Sequence, residues 1–231
     1  MDTPGDFIVF DVDGVLVDVS ESFREAIRQT VKRFSGETID NGLIQEYKNQ
    51  GGWNNDWKLS TQIIRDLGTE VEFDDVVEAF NDLFLGPKHD GEDGLIQREV
   101  WLPGNGLLER LGGRRRLAIF TGRVPLELSI TLARFAPDIR FEPTVCSGDI
   151  ENGKPAPDGL FKIAATHPGA NLLYVGDTVD DAQCAQAAGV PFIGIAAPAS
   201  PRRQDLIELF EEEGAFAILG NVNELEAIIP Q

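Results

Sequence analysis

Cysteine, histidine, basic residues and long apolar runs are all scarce in this sequence, and each shortage removes a class of function. The 231 residues contain two cysteines, Cys146 and Cys184, in unrelated contexts. Neither has a CxxC partner, so no disulfide framework is expected and a reducing cytoplasm is the simplest setting. The two histidines, His89 and His167, stand alone in polar segments and read as exposed side chains rather than ligands. The opening MDTPGDFIVFDVDG has no basic n-region, and its apolar run, Phe7 to Phe10, is far too short for a signal peptide or a membrane span. Twenty Lys and Arg stand against 39 Asp and Glu, a formal net charge of -19. Such a surface repels nucleic acid and anionic membranes, so neither is an expected partner. An anionic ligand must meet locally positive groups or a metal ion. Most of the acids read simply as a solubilising surface.

What is present is the pattern of an α/β protein. Hydrophobic residues make up 42% of the chain, enough for one sizeable core, or a core domain with a smaller second one. Short runs rich in β-branched and aromatic residues occur at 7–10, 117–120, 172–175, 192–195 and 216–219, with a weaker one around Val145. Runs of this kind read as strands of a parallel sheet buried on both faces. Helical patterns lie between them, over 126–135, 159–166, 182–188, 205–213 and 224–229, so the fold class is a doubly wound α/β sheet. Leu206, Leu209 and Phe210 read as helix packing. The stretch from Ser20 to Leu85 breaks the alternation. Phe23, Ala26, Ile27, Thr30, Val31 and Phe34 fall at helical spacing, with Ser20 as the expected N-cap. Leu59, Ile63, Ile64 and Leu67 form a second stripe closed by Gly68, and Val76, Val77, Phe80, Leu83 and Phe84 a third closed by Gly86. The division is therefore an α/β core over 1–18 and 95–231, with an inserted all-helical unit and its linkers over 19–94; Pro87 to Gly94 is the return segment.

Chemistry gathers where strands end. In open α/β sheets, ligands bind beyond the carboxyl ends of the strands. There the sequence places Asp11 and Asp13, then Thr121-Gly122-Arg123, then Lys154 in a loop, then Asp177 followed by Asp180 and Asp181. Carboxylates at i and i+2 on an extended segment share a side and repel unless a cation or proton lies between them. Two or three carboxylates with a carbonyl suit Mg²⁺, which retains waters and accepts a phosphate oxygen. Taken singly, either acid cluster is equally well an Asp-Gly turn or a helix N-cap. Their joint occurrence with Thr121 and Lys154 favours a site.

In order along the chain, Asp11-Val12-Asp13-Gly14-Val15-Leu16, Thr121 after an apolar strand, Lys154 in Gly-Lys-Pro, and Gly176-Asp177-Thr178-Val179-Asp180-Asp181 resemble the motifs of the haloacid dehalogenase superfamily over essentially the whole chain. The helical insert resembles the cap of the subgroup that includes phosphoglycolate phosphatase and β-phosphoglucomutase. The resemblance implies that Asp11 is a nucleophile forming an aspartyl-phosphate and that Asp13 is general acid and then base. It implies Mg²⁺ held by the Asp11 carboxylate, the Asp13 carbonyl and Asp177. Thr121 and the Gly122 N–H would bind phosphoryl oxygens, and Lys154 would stabilise the transition state. Asp181, or Asp180, would orient Lys154 or a metal-bound water.

The implied activity is hydrolysis of a small phosphorylated metabolite, and the cap would choose it. The segment 48–58 joins two expected helices and carries Lys48, Trp53, Asn54, Asn55, Trp57 and Lys58. Asn54 and Asn55 are expected to hydrogen-bond substrate, Lys58 or Lys48 to meet a second anionic group, and Trp53 to exclude water on closure. Against this, Trp53 and Trp57 also read as core and Asn54 or Asp56 as a helix N-cap, the core reading being preferred for Trp57. Arg123 either touches substrate or pairs with a carboxylate. Arg114-Arg115-Arg116 reads as a solvated face. A sugar phosphomutase, a phosphonatase using a cap lysine, a dehalogenase and a non-catalytic phosphometabolite-binding protein remain as alternatives, and both monomer and homodimer stay open.

Overall fold

The computed structural model describes residues 7–229. In chain order the elements are β1 (Phe7–Phe10), β2 (Val17–Asp18), α1 (Phe23–Ser35), α2 (Asn41–Asn49), α3 (Asp56–Asp66), α4 (Phe73–Phe84), β3 (Val100–Trp101), α5 (Leu107–Gly112), β4 (Arg116–Phe120), α6 (Pro125–Phe135), β5 (Phe141–Val145), α7 (Asp158–Thr166), β6 (Leu172–Gly176), α8 (Val179–Ala188), β7 (Phe192–Ile195), α9 (Arg203–Glu212), β8 (Ala217–Leu219) and α10 (Leu225–Ile228). Six strands pair in parallel in the order β5-β4-β1-β6-β7-β8. No helix among the described residues is long and apolar enough to cross a membrane.

The central strand shows why its sequence is wholly apolar. Side chains alternate across a strand. Ile8 and Phe10 enter the core on one face of the sheet, while Phe7 and Val9 enter the core on the other. Both faces are covered by helices, so no position is left for a polar residue. The chain leaves β1 for β4 and β5 on one side, then returns to β6 on the other. The strand order therefore reverses beside β1, and the crevice this opens lies at the carboxyl ends of β1 and β6.

Helices α1, α3 and α4 enclose a third core of their own, including Ile27, Ile63, Phe80 and Phe84. Several local expectations are corrected. Helix α1 begins at Phe23 with Ser22 in the N-cap position, while Ser20 donates its N–H to Asp18 two residues back. Leu67 ends its stripe 40% exposed, because α3 stops at Asp66. The two-residue ladder of β2 with β3 and the short α5 have no counterpart in the expectation; α5 is anchored by Leu107, Leu108 and Leu111. Arg116 belongs to β4 itself, and its guanidinium lies over the Phe7 ring.

Candidate active site

The ladder carries β1 directly into the site. Asp11 N–H donates to the Val175 carbonyl of β6 at 2.8 Å, which leaves the Asp11 side chain at the strand-order reversal with only 4% of its surface exposed. The turn that follows requires glycine twice over. Gly14 has φ +71°, and a Cβ there would lie 1.8 Å from Asp177 Oδ2. The absent side chain is what lets the acids after β1 and β6 approach each other.

Lys154 reaches the same point from the loop before α7. Its Nζ donates to Asp11 Oδ1 at 2.8 Å and lies 2.7 Å from Asp181 Oδ1, above the rings of Phe120 and Tyr174. Burial opposes the ammonium charge, but Asp11 and Asp181 outweigh it and raise the Lys154 pKa. Asp181 is fully enclosed. Burial works against its charge too, yet Lys154, the Tyr174 hydroxyl at 2.6 Å and the Thr178 hydroxyl at 2.7 Å hold its pKa below the usual carboxylate range. Asp11 behaves oppositely. Burial, helped by the nearby Asp181 and Asp13 charges, pushes it to about 7 in spite of Lys154. Burial, with the charges of Asp181 and of Asp11 itself, raises Asp177 well above the ordinary value.

That excess of negative charge is a test of metal fit. Ligand oxygens of Asp11, Asp177 and Asp181 lie within 4.8 Å of one another. An all-oxygen set of buried and half-buried carboxylates, two of them reluctant to ionise without a cation, matches the donor chemistry of Mg²⁺. The Asp13 carboxylate is not in this cluster, so only its backbone carbonyl is left for a metal.

Asp13 instead faces Arg123. Arg123 Nε and Nη2 donate to Asp13 Oδ1 at 3.0 and 2.5 Å. The same guanidinium lies 2.7 Å from Glu99 Oε1, donates to Thr131 Oγ1 at 2.5 Å and sits 5.0 Å from the Phe23 ring centre. Of the two roles weighed for Arg123, the carboxylate pairing is therefore present, and Arg123 also lines the cleft.

The cleft has two lobes. One is lined by Asp11, Asp13, Asp177 and Arg123 from the sheet side and by Arg24, Lys48, Asp56 and Trp57 from the helical side. The other is lined by Thr121, Lys154 and Lys58. Asn54, Asn55 and Gly122 border both. Gly122 again leaves room, since a Cβ there would lie 2.7 Å from Asn54 Nδ2.

Within the segment 48–58, Asn55 is the N-cap of α3, accepting the Lys58 N–H at 2.9 Å, so the cap falls one residue away from either position weighed for it. Trp57 lines the cleft and also packs against the helical core, edge-on to Phe80, with Nε1 donating to Asn81 Oδ1 at 3.2 Å. Trp53 packs edge-on to Tyr47 against the helical core, the second of the two roles weighed for it, and lines neither lobe. Lys48 is bound by Asp56 at 2.8 Å. The two neighbouring acids of α8 separate cleanly. Asp181 meets Lys154, whereas Asp180 accepts the Gly52 N–H at 2.6 Å and ties the helical side to the sheet side.

Glu99, Arg24 and Glu127 escaped the sequence reading. Glu127 accepts the Val124 N–H at the start of α6 and is pushed by burial from 4.5 to about 7, against the pull of that N–H and of Arg123. The folded protein thus holds a proton that the unfolded chain releases. This contribution to stability is full below the unfolded value and is lost as pH rises through the folded one. Glu127→Gln keeps an acceptor for Val124 and removes the titration. Its stability relative to wild type is expected to rise by on the order of 2–3 kcal/mol between about pH 4 and about pH 8. Urea titrations across that range check this, and a pH-independent difference would contradict it.

Parallel strands carrying a lysine-bridged set of carboxylates at their carboxyl edge define a doubly wound α/β protein with a phosphate- and metal-compatible centre. The family model described as haloacid dehalogenase-like hydrolase matches residues 6–189, and the chain belongs to that family. It is 28% identical over 247 residues to a Phytophthora nicotianae protein named imidazoleglycerol-phosphate dehydratase, an alignment covering all of this chain and 54% of that protein. It is 34% identical over 73 residues to the phosphoglycolate phosphatase of Escherichia coli K12, covering 31% of this chain and 27% of that one. The chain thus spans about half the length, or less, of the curated relatives it matches. The structure of a phosphatase from Thermococcus thioreducens superposes with a TM-score of 0.64 at 25% identity, over 89% of this chain and 99% of that one.

Proposed function

We propose that this chain is a Mg²⁺-dependent phosphatase acting on a small phosphate monoester through an aspartyl-phosphate at Asp11. The observation that carries this reading is the Asp11–Lys154–Asp181 bridge beside Asp177 at the strand-order reversal. The phosphatases among its relatives support it.

An Asp11 carboxylate oxygen attacks phosphorus, and the bond from phosphorus to the ester oxygen breaks. The departing alkoxide takes a proton from Asp13. Asp13 then removes a proton from water, which attacks the phosphorus of the acyl phosphate and returns Asp11 as carboxylate. Lys154, the Thr121 hydroxyl and the Gly122 N–H hold the phosphoryl oxygens as charge develops. Asp181 fixes Lys154. Arg123, anchored by Glu99, holds Asp13 at the cleft. Mg²⁺ held by Asp11, Asp177 and the Asp13 carbonyl would offset the repulsion between an anionic nucleophile and an anionic ester. Residues 19–94 act as a cap over the core of 1–18 and 95–231, docked through Asp180 and Gly52, and the setting is cytoplasmic. Of the two cap lysines that a Schiff-base phosphonatase could use, Lys48 is disfavoured because it is kept charged. Burial opposes its ammonium, but the Asp56 ion pair raises its pKa above the ordinary value.

The test is phosphate release from p-nitrophenyl phosphate and from a panel of sugar, carboxylate and imidazole-bearing phosphate monoesters, with Mg²⁺ or with EDTA. Release is expected with Mg²⁺ and a fall to background with EDTA. Activity that survives EDTA would contradict the mechanism.

A further inference from the structure

We propose that Arg24 is an anion-binding subsite on the helical wall of the cleft, so that the preferred substrate carries a second anionic group on its leaving portion. This rests on the phosphatase reading and deepens it. The argument begins with charge pairing. In and around the cleft, Lys154 is bound to Asp11, Arg123 to Asp13 and Lys48 to Asp56. Arg24 differs. Its Nη2 donates to Gln45 Oε1 at 2.6 Å, and Gln45 is itself buried and held through Asn49 Oδ1 at 2.8 Å. Its Nη1 is shielded from solvent and has no hydrogen-bond partner among the described residues. A guanidinium on the wall of a cleft, held at Nη2 by a neutral amide and without a partner at Nη1, is an unsatisfied donor that a bound anion would complete. Burial lowers its pKa, partly countered by the more distant charges of Asp177, Asp56 and Asp18. Arginine remains charged even so.

Position decides which anion it meets. The transferred phosphoryl group belongs between Asp11 and Lys154 on the sheet side, whereas Arg24 stands on the helical wall of the lobe it shares with Asp11, beside Phe23, Trp57 and Phe80. The apolar walls suit a short carbon segment between the two anions. Arg24 is thus a specificity residue for the leaving group.

Two measurements on the whole protein test this. The first compares kcat/KM with Mg²⁺ for a carboxylate-bearing ester, a bisphosphate, and glycerol phosphate, whose leaving group is neutral. Wild type is expected to prefer at least one anionic leaving group, and the carboxylate and bisphosphate arms show which. Arg24→Gln is expected to reduce that preference by about tenfold to 100-fold, mainly through KM, and Arg24→Lys to recover part of it. Equal losses on charged and neutral leaving groups would assign Arg24 to the transferred phosphate and overturn the proposal. The second measurement needs no turnover. Calorimetry with phosphonoacetate, which carries two anionic groups, and methylphosphonate, which carries one, is expected to show tighter binding of the former in wild type, with the advantage lost in Arg24→Gln. Equal affinities would overturn the subsite whether or not hydrolysis is seen. Absence of hydrolysis with the binding difference intact would instead overturn the phosphatase reading alone. Melting curves of each variant confirm folding.

Discussion

Asp11→Asn is expected to lower turnover by roughly 10³-fold or more while the protein stays folded. The amide has the shape of the carboxylate but no anionic oxygen to attack phosphorus. Its effect on stability is small for a reason visible in the site. Burial and neighbouring acids push Asp11 to about 7, so the wild-type carboxylate is held at a cost, offset by Lys154. The variant removes the cost and the attraction together, and Lys154 keeps Asp181 as its partner. A melting temperature within a few degrees of wild type is expected alongside the lost rate, as ΔΔG near zero implies. A variant that turns over at a near-normal rate would remove Asp11 from the nucleophile's role.

Lys154→Met is expected to fail differently, losing stability as well as turnover. The lysine side chain is 1% exposed and stands between Asp11 and Asp181, which are 6% and 0% exposed. Removing it leaves two buried carboxylates sharing a space with no counter-charge, a loss of about 3–5 kcal/mol where both are ionised. The sign of the pH dependence follows. In wild type, Asp181 is held below its ordinary pKa, so its contribution is present above the unfolded value. In the variant, both acids rise and take up protons on folding, so the deficit shrinks as pH falls. Urea denaturation at neutral and mildly acidic pH measures this. Wild-type stability at neutral pH would mean that Lys154 is not the counter-ion of the pair. The contrast between the two variants separates a group that reacts from one that also holds the site together.

How much of this was legible in the sequence depends on the range of the interaction. The strands were readable because burial on both faces forces continuous apolar runs, as Phe7–Phe10 shows. The stripes of α1, α3 and α4 were readable because each helix packs one face into a shared core. The ladder of β2 with β3 was not, since two residues carry no period. In the site, the acids and Lys154 stood out because each follows a strand or a glycine turn. Their partners did not. Arg123 meets Asp13 across 110 positions, and Asp180 meets Gly52 across 128. Glu99 was one acid among many until the fold set it against Arg123. Asp180 and Asp181 are adjacent in sequence, but successive side chains on a helix point about 100° apart, so only coordinates assign one to Lys154 and the other to Gly52. The contact of Trp53 with Tyr47 of the preceding helix was not legible either, since a tryptophan beside two glycines reads equally as a binding loop or as core.

The central claim is that phosphorus passes through Asp11 rather than directly to water. The configuration at an isotopically chiral phosphorus, read in the product of transfer to an acceptor alcohol, tests it most directly. Two successive in-line displacements, first by Asp11 and then by the acceptor, predict retention. Inversion would mean a single displacement and would contradict the account.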